Sequence, residues 1–194
     1  MGKSLVDTDD IPLAKHIMER AKQEAKKRHF VFYLPQDGIA AKKIDSKITT
    51  RIVDWDAHVI ADVESYPGRP LRSATRIASD EMILDVGPFS GSFIAGGMQL
   101  SNTVIWNGAL GVTETAAVHG PVGPFAHGTE LLVDAMLGQF GHRPFSVVGG
   151  GDTVGYVEGR KLTASFDHVS TGGGAGLELM SGKKLPGVEA LLDK

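Results

Sequence analysis

The sequence predicts an α/β fold with a mainly parallel sheet and helices on both faces, on three observations. Short apolar runs alternate with longer stretches of helix-compatible spacing between Met82 and Val169. Each of these strand candidates ends at or near glycine, where a chain turns from strand into helix. Asp85, Asn107, Asp152 and Ser170 all fall at such strand ends, and in open α/β sheets ligands bind beyond the carboxyl ends of the strands. Those four positions therefore point to one shared site.

The elements follow in order. Asp9-Asp10-Ile-Pro12 is a helix entry, with acidic residues at the positive end and proline in the first turn. Ile11, Ala14, Ile17, Met18 and Ala21 recur at three- and four-residue spacing, predicting an amphipathic helix to about Lys27. Lys22, Lys26 and Lys27 lie towards its C-terminal end, where the dipole favours cations, so they read as a solvated face. His29–Leu34 reads as a buried strand stopped by Pro35-Gln-Asp-Gly38. Residues 39–80 are less legible: Ile48–Val53 and Ala57–Val63 alternate loosely as short strands, and Tyr66–Pro70 is a turn or local linker. Trp55 and His58 there read as a packed tryptophan and a surface histidine in preference to ligand contacts. Met82–Val86 is a buried strand, Phe89–Leu100 a helix weakened by Gly91, Gly96 and Gly97, and Thr103–Trp106 the next strand. A loop rich in Gly, Pro and His leads to a helix from about Thr129 to Phe140.

Two glycine triplets then dominate the chain. Gly149-Gly150-Gly151-Asp152-Thr153 follows the apolar run Phe145–Val148, and Ser170-Thr171-Gly172-Gly173-Gly174 follows Phe166–Val169. A strand that stops at glycines and restarts as a helix leaves backbone N–H groups unpaired and pointing one way. The helix dipole adds positive charge there, so a phosphate fits without a basic side chain. Tight turns also use glycine, but two such loops so close together, carrying Asp-Thr and Ser-Thr, favour phosphate. Gly2-Lys3-Ser4 lacks the preceding strand and the earlier glycine of a phosphate-binding P-loop.

Composition bounds the function. A chain of 194 residues with 42% hydrophobic and 22% charged residues suits one ordinary globular domain. A net charge of -3 argues against a nucleic-acid partner, which requires a surplus of Lys and Arg. Cysteine is absent, which excludes disulfides and thiol catalysis and is compatible with the cytoplasmic location we expect. No apolar run approaches membrane-spanning length, so no membrane partner is expected. Of 25 glycines, 22 fall at or after Gly87, and no Lys or Arg occurs between Arg76 and Arg143. An anion bound there would meet backbone amides and a metal before an ammonium group.

The motifs Trp106-Asn-Gly-Ala-Leu-Gly-Val-Thr-Glu114, Gly149-Gly-Gly-Asp-Thr153 and Ser170-Thr-Gly-Gly-Gly-Ala175 stand in the order and approximate spacing of the C-terminal domain of phosphoglycerate kinases. Leu84-Asp-Val-Gly-Pro88, Leu34-Pro-Gln-Asp37, Gly2-Lys-Ser-Leu5 and the ending from Leu177 to Leu191 also resemble that family. The resemblance implies a Rossmann-like three-layer domain binding MgADP or MgATP, within an enzyme that moves a phosphoryl group between 1,3-bisphosphoglycerate and ADP in glycolysis. On it, Asp152 would hold Mg2+ and Thr153 would lie beside the nucleotide phosphates, with Gly150 and Gly151 offering backbone amides. Glu114 would take the ribose hydroxyls, Leu84 and Val112 would flank the adenine, and Asn107 would lie near the phosphates. Gly172, Gly173 and Gly174 would donate to the phosphoryl group in flight. Residue chemistry alone leaves Asp152 open as a helix N-cap, Glu114 as a solvated carboxylate and His168 as structural.

Departures from the family pattern qualify this. The family's N-terminal domain, which binds the phosphoglycerate through arginines and a histidine, has no counterpart in the sequence, so 3-phosphoglycerate would be bound only through that domain. The Gly-Gly-Ala-Lys strand–loop–helix of the nucleotide domain is also missing, and the domain reads as truncated at its N-terminus. Ala109 replaces a usual proline, Ile83 a usual glycine at the adenine wall, and Thr113 a common phenylalanine, while Thr115–Ala126 is longer than the usual connection. The expectation is a nucleotide half-site with no turnover by itself. Its rival is a degenerate, non-catalytic nucleotide-binding or interaction module. A dinucleotide oxidoreductase is disfavoured, because neither triplet has Gly-x-Gly-x-x-Gly spacing.

Overall fold

A computed structural model describes residues 2–55, 58–61, 76–118, 120–170 and 172–192, with only the backbone for 58–61. The expected turn at Tyr66–Pro70, the side chain of His58, the ends of the Ala57–Val63 strand, and Thr171 lie outside the described residues.

Helix α1 (Ile11–Ala25) starts after Asp10 with Pro12 in its first turn and buries only Ala21 and Ala25. Strand β1 (Val31–Leu34) pairs antiparallel with β4 (His58–Ala61). It is half-buried, with Val31 exposed, and so is less enclosed than its apolar run suggests. Strand β2 (Asp37–Ala41) is central to a second sheet, antiparallel to both β3 (Arg51–Asp54) and β5 (Met82–Val86).

Two expectations are corrected here. Pro35–Gly38 does not end the local structure; it feeds β2, whose Gly and Ala content hid it, because small residues carry no strand signal despite nearly complete burial. Strand β5 does not join the parallel ladder, since its hydrogen bonds go to β2. The opening Gly2–Ser4 runs beside β5: Lys3 N–H donates to the Glu81 carbonyl (2.6 Å) and Ile83 N–H to Ser4 Oγ (3.0 Å). This segment is a strand-edge contact, and it forms no phosphate loop.

The parallel sheet has the order β6 (Thr103–Asn107), β7 (Phe145–Gly149), β8 (His168–Val169). Its register puts Thr103 opposite Phe145, Asn107 opposite Gly149, and Val148 opposite Val169. One face is apolar by alternation: Val104, Trp106 and Val148 pack against Leu132, Val133 and Met136 of α3 (His127–Met136) and Val157 of α4 (Gly151–Gly159). The other face is thinly covered, by Leu177 and Met180 of the six-residue α5 (Ala175–Met180) over Ile105 and Val147. Helix α2 (Pro88–Gln99) packs on α3 and β2, and α6 (Pro186–Leu192) ends the described chain. The α3 helix starts two residues earlier and ends four residues sooner than its pattern suggests. The fold is mixed α/β, with a three-stranded parallel sheet carrying the glycine-rich ends. No helix among the described residues is long and apolar enough to cross a membrane.

Candidate functional site

The parallel ladder brings Asn107, Gly149 and Ser170 to one rim. Asn107 is opposite Gly149 in register, and Ser170 N–H donates to the Val148 carbonyl (2.8 Å) just past β8. Gly150 connects β7 to α4 at φ +86°, and a Cβ there would lie 3.0 Å from Asn107 Oδ1. Both conditions favour glycine, because a side chain is strained at positive φ and would press on the Asn107 amide. The Asn107 amide thus lies over the loop that opens α4. Helix α4 has no side-chain cap at its N-terminus, and Asp152 is exposed in its first turn.

The expected site residues separate around this loop. Glu114, Gly151 and Asp152 line a cleft of ≈ 480 Å³, together with Thr115, Pro121, Val122, Gly155, Tyr156 and Arg160. Asn107, Gly149, Ser170 and Gly173 line a smaller hollow of ≈ 210 Å³ over the thinly covered sheet face, with His168 beside them. Gly173 and Gly174 have open space where a Cβ would project, and Gly172 N–H makes only a 3.4 Å contact with Ser170 Oγ. The second triplet is therefore exposed but precedes a helix of only six residues.

Three residues expected at the ligand do other work. Thr153 is 1% exposed, and its Oγ1 accepts from Gly108 N–H at 2.7 Å. Together with Thr129 Oγ1, which accepts from Leu110 N–H (3.0 Å), it pins the Gly108–Leu110 turn. Leu84 is 7% exposed and packs with Phe125 and Val112, while Val112 N–H donates to the Leu84 carbonyl (2.9 Å). Leu84 and Val112 form a core wall, and neither lines the cleft or the hollow.

Asp85 is also turned away from the rim. It is 2% exposed, with its carboxylate accepting from Val86 N–H (2.8 Å) and Gly128 N–H (2.9 Å) and from the backbone of His127. Burial pushes it up to about 6 against these stabilising donors. It caps α3 where the four-fold convergence of strand ends suggested a ligand contact. Trp55, at the end of β3, donates its Nε1–H to the Pro35 carbonyl (2.7 Å), which supports the packed reading.

Behind the cleft lies a network with no sequence motif to announce it. Tyr156 OH donates to Glu130 Oε2 (2.7 Å), Arg160 pairs with Glu130 Oε1, and Arg160 Nη1 donates to the Pro121 carbonyl (2.7 Å). Burial, then Glu130, pushes the Tyr156 phenol well above its ordinary range, so it stays a donor. Tyr156 and Arg160 are four residues apart on α4, and that spacing was the only available signal. Through Arg160 the long loop is tied to α4.

The family model described as phosphoglycerate kinase matches residues 1–183. The chain is 36% identical over its whole length to the phosphoglycerate kinase of Moorella thermoacetica, covering 41% of that protein. It is 37% identical to that of Koribacter versatilis, again over the whole chain and covering 40% of the relative. Among solved structures, phosphoglycerate kinase from Coxiella burnetii superposes with a TM-score of 0.74 at 29% identity, covering 97% of this chain and 40% of that one. The Pyrococcus horikoshii enzyme has the same fold at a TM-score of 0.66 and 24% identity, covering 95% of this chain and 36% of that one. The chain thus spans about 40% of the length of the curated relatives it matches. With the motifs in register, the fold shared and the family model matched from end to near end, the chain belongs to the phosphoglycerate kinase family.

Proposed function

We propose that this chain supplies the magnesium–nucleotide side of a phosphoglycerate kinase reaction, holding ADP or ATP while the phosphoglycerate side is bound by polypeptide other than residues 1–194. The observation that carries this is the uncapped start of α4, with exposed Asp152 and Glu114 in one cleft at the rim of the parallel sheet. Amides at that start would hold the phosphate tail, and the helix dipole would favour its charge. Glu114 would accept from ribose hydroxyls. Asn107 and the amides of Gly172–Gly174 would face the phosphoryl group across the Gly149–Gly151 loop.

Among the described residues no three His, Cys, Asp or Glu side chains converge. A lone exposed carboxylate beside a helix start nevertheless suits magnesium, which is commonly held by one or two carboxylates plus substrate phosphates. Bound at Asp152, the ion would neutralise charge on the phosphate oxygens. In the transfer, the bond from phosphorus to the acyl oxygen breaks as a β-phosphate oxygen of ADP forms a new one, and a carboxylate leaves. Both nucleophile and leaving group are anionic, so no general base is required, and positioning plus charge stabilisation carry the catalysis. His168 then has no acid–base task.

Calorimetry tests the half-site. MgADP should bind, and Asp152→Ala should weaken binding at least tenfold and remove its dependence on magnesium. Because Asp152 is exposed and caps nothing, stability should stay within about 0.5 kcal/mol. A coupled kinase assay on this chain alone should show no turnover, since reactions of this kind need the site closed against water. Ordinary kinase rates would refute the half-site reading. A second reading, a non-catalytic nucleotide-binding or interaction module, is favoured by the covered Leu84 and the inward Thr153. Absence of MgADP binding would select the interaction module.

A further inference from the structure

We infer that Asn107-Gly108 is a site of spontaneous deamidation in this chain, and that the Thr153 hydroxyl sets how fast it is modified. The sequence holds two asparagines, Asn102 and Asn107, and only Asn107 is followed by glycine. Asparagine loses its side-chain amide most readily before glycine, which puts no side chain in the path of the attacking nitrogen and lets the backbone rotate into line. Asn102 precedes the β-branched Thr103, which is stiff and crowds the same path. Asn107 ends β6 and Gly108 follows it; both are exposed, and a Cβ on Gly108 would meet nothing within 4 Å. Water and hydroxide therefore reach the pair from solvent.

The step balances with water alone. Hydroxide takes the Gly108 N–H proton, and the nitrogen attacks Asn107 Cγ. The bond from Cγ to Nδ2 breaks, and that nitrogen leaves as ammonia with a proton from water, which restores hydroxide. A second water opens the resulting succinimide ring at either carbonyl, giving aspartate or isoaspartate. The fold withholds the nucleophile in this step. Gly108 N–H donates to Thr153 Oγ1 at 2.7 Å, and Thr153 is only 1% exposed. The Gly108 carbonyl accepts from Trp106 Nε1–H at 2.7 Å, so the residue is held by both its backbone groups. Asn107 is fixed in register with Gly149, and its amide sits against Gly150. Ring closure needs the Gly108 nitrogen unbonded and rotated towards Cγ, so the bond to Thr153 must break first. This chemistry stands apart from the nucleotide reading above. Its consequence rests on that reading, since either product puts a carboxylate beside Gly150, where the phosphates would lie.

Peptide mapping by mass spectrometry during mildly alkaline incubation tests the site, with circular dichroism to verify folding. Thr153→Val removes the acceptor and should speed loss of the Asn107 amide at least about fivefold. Thr153→Ser keeps a hydroxyl and should stay within about twofold of the native chain. Thr129→Val is the control for loosening: it leaves Leu110 N–H without its acceptor but spares the Gly108 bond, and should also stay within about twofold. A measurement on the native chain needs no variant. As sub-denaturing urea is raised, deamidation of Asn107 and hydrogen exchange at the Gly108 amide should accelerate together, because both wait on the same bond. Equal rates in Thr153→Val and the native chain overturn the role of the hydroxyl. So does equal acceleration by Thr153→Ser or Thr129→Val, or deamidation that quickens while Gly108 N–H stays protected. Loss at Asn102 ahead of Asn107 overturns the site itself, as does an Asn107 that stays intact in the urea-unfolded chain.

Discussion

Two buried aspartates show how a single carboxylate can organise a helix. Asp37, at the start of β2, accepts from Phe89 N–H (2.9 Å) and Ser90 N–H (2.8 Å) and so caps α2 from a distant strand. Asp85, at the end of β5, does the same for α3 through Gly128. Both satisfy amides that the helices leave unpaired and place negative charge at the positive end of the dipole. Asp85 has no cation partner among the causes that set its protonation, so burial dominates and lifts it to about 6. The sign follows: its folded value lies above the ordinary 3.8, so the folded chain holds the extra proton between these values. The resulting stability is fully present below about pH 4 and lost as pH rises through 6, up to about 3 kcal/mol at 1.36 kcal/mol per pH unit. Asp85→Asn should remove this dependence. Chemical denaturation at pH 4.5 and 7.5 should show the stability of the native chain, relative to Asp85→Asn, falling by about 2 kcal/mol or more over that interval. A constant difference would mean that the carboxyl titrates as if exposed. Thr153 makes a companion case: Thr153→Val keeps the volume but leaves Gly108 N–H without its acceptor. We expect a loss of about 1–3 kcal/mol in urea denaturation.

At the scale of elements, α4 combines two kinds of glycine with opposite consequences. Gly150 holds φ +86° beneath Asn107, so Gly150→Ala forces an unfavourable backbone and displaces that amide. It should destabilise by about 1–3 kcal/mol. Gly155 has ordinary helical backbone and open space, so Gly155→Ala should stabilise by about 0.8–1 kcal/mol. Thermal melts of the two variants should therefore move in opposite directions; a shift of the same sign would contradict this division. The same contrast explains what was legible in the sequence. Strands β5, β6 and β7 and the glycine loop after β7 stood out because apolar runs and glycine punctuation carry strong local signals. That Asn107, Gly149 and Ser170 fall at one rim was equally readable, since strand ends of a parallel ladder share an edge. Strand β2 was not readable, because its identity comes from burial between two neighbours and its own side chains say little. That Thr153, Leu84 and Asp85 are buried was not readable for a related reason. Strand alternation and helix rotation decide which way a rim residue points, and those angles are set by tertiary packing. The Tyr156–Glu130–Arg160 network joins two helices and a loop, a juxtaposition that no local pattern encodes.

For the whole molecule, the decisive feature is the asymmetry of the parallel sheet. Its inner face carries Val104, Trp106 and Val148, all buried against α3 and α4. Its outer face carries Ile105 at 51% and Phe145 at 53% exposed, and among the described residues only α5 reaches over it. Strand β6 is also an edge, paired with β7 alone among the described residues, so its second row of backbone groups has no ladder partner there. Apolar surface of this kind next to an unpaired edge promotes association, and charges on the edge suppress it. The chain should therefore associate with itself as its concentration is raised, measured by sedimentation velocity. The double variant Ile105→Lys, Phe145→Lys should remain monomeric over the same range. Both side chains are about half exposed and project away from the inner core, so the melting temperature of the double variant should change little. Excess companion polypeptide that covers this face would suppress self-association of the native chain in the same way, because both would compete for one surface. A native chain that stays monomeric throughout, or a double variant that associates equally well, would show that the outer face of the sheet is not where the molecule is adhesive.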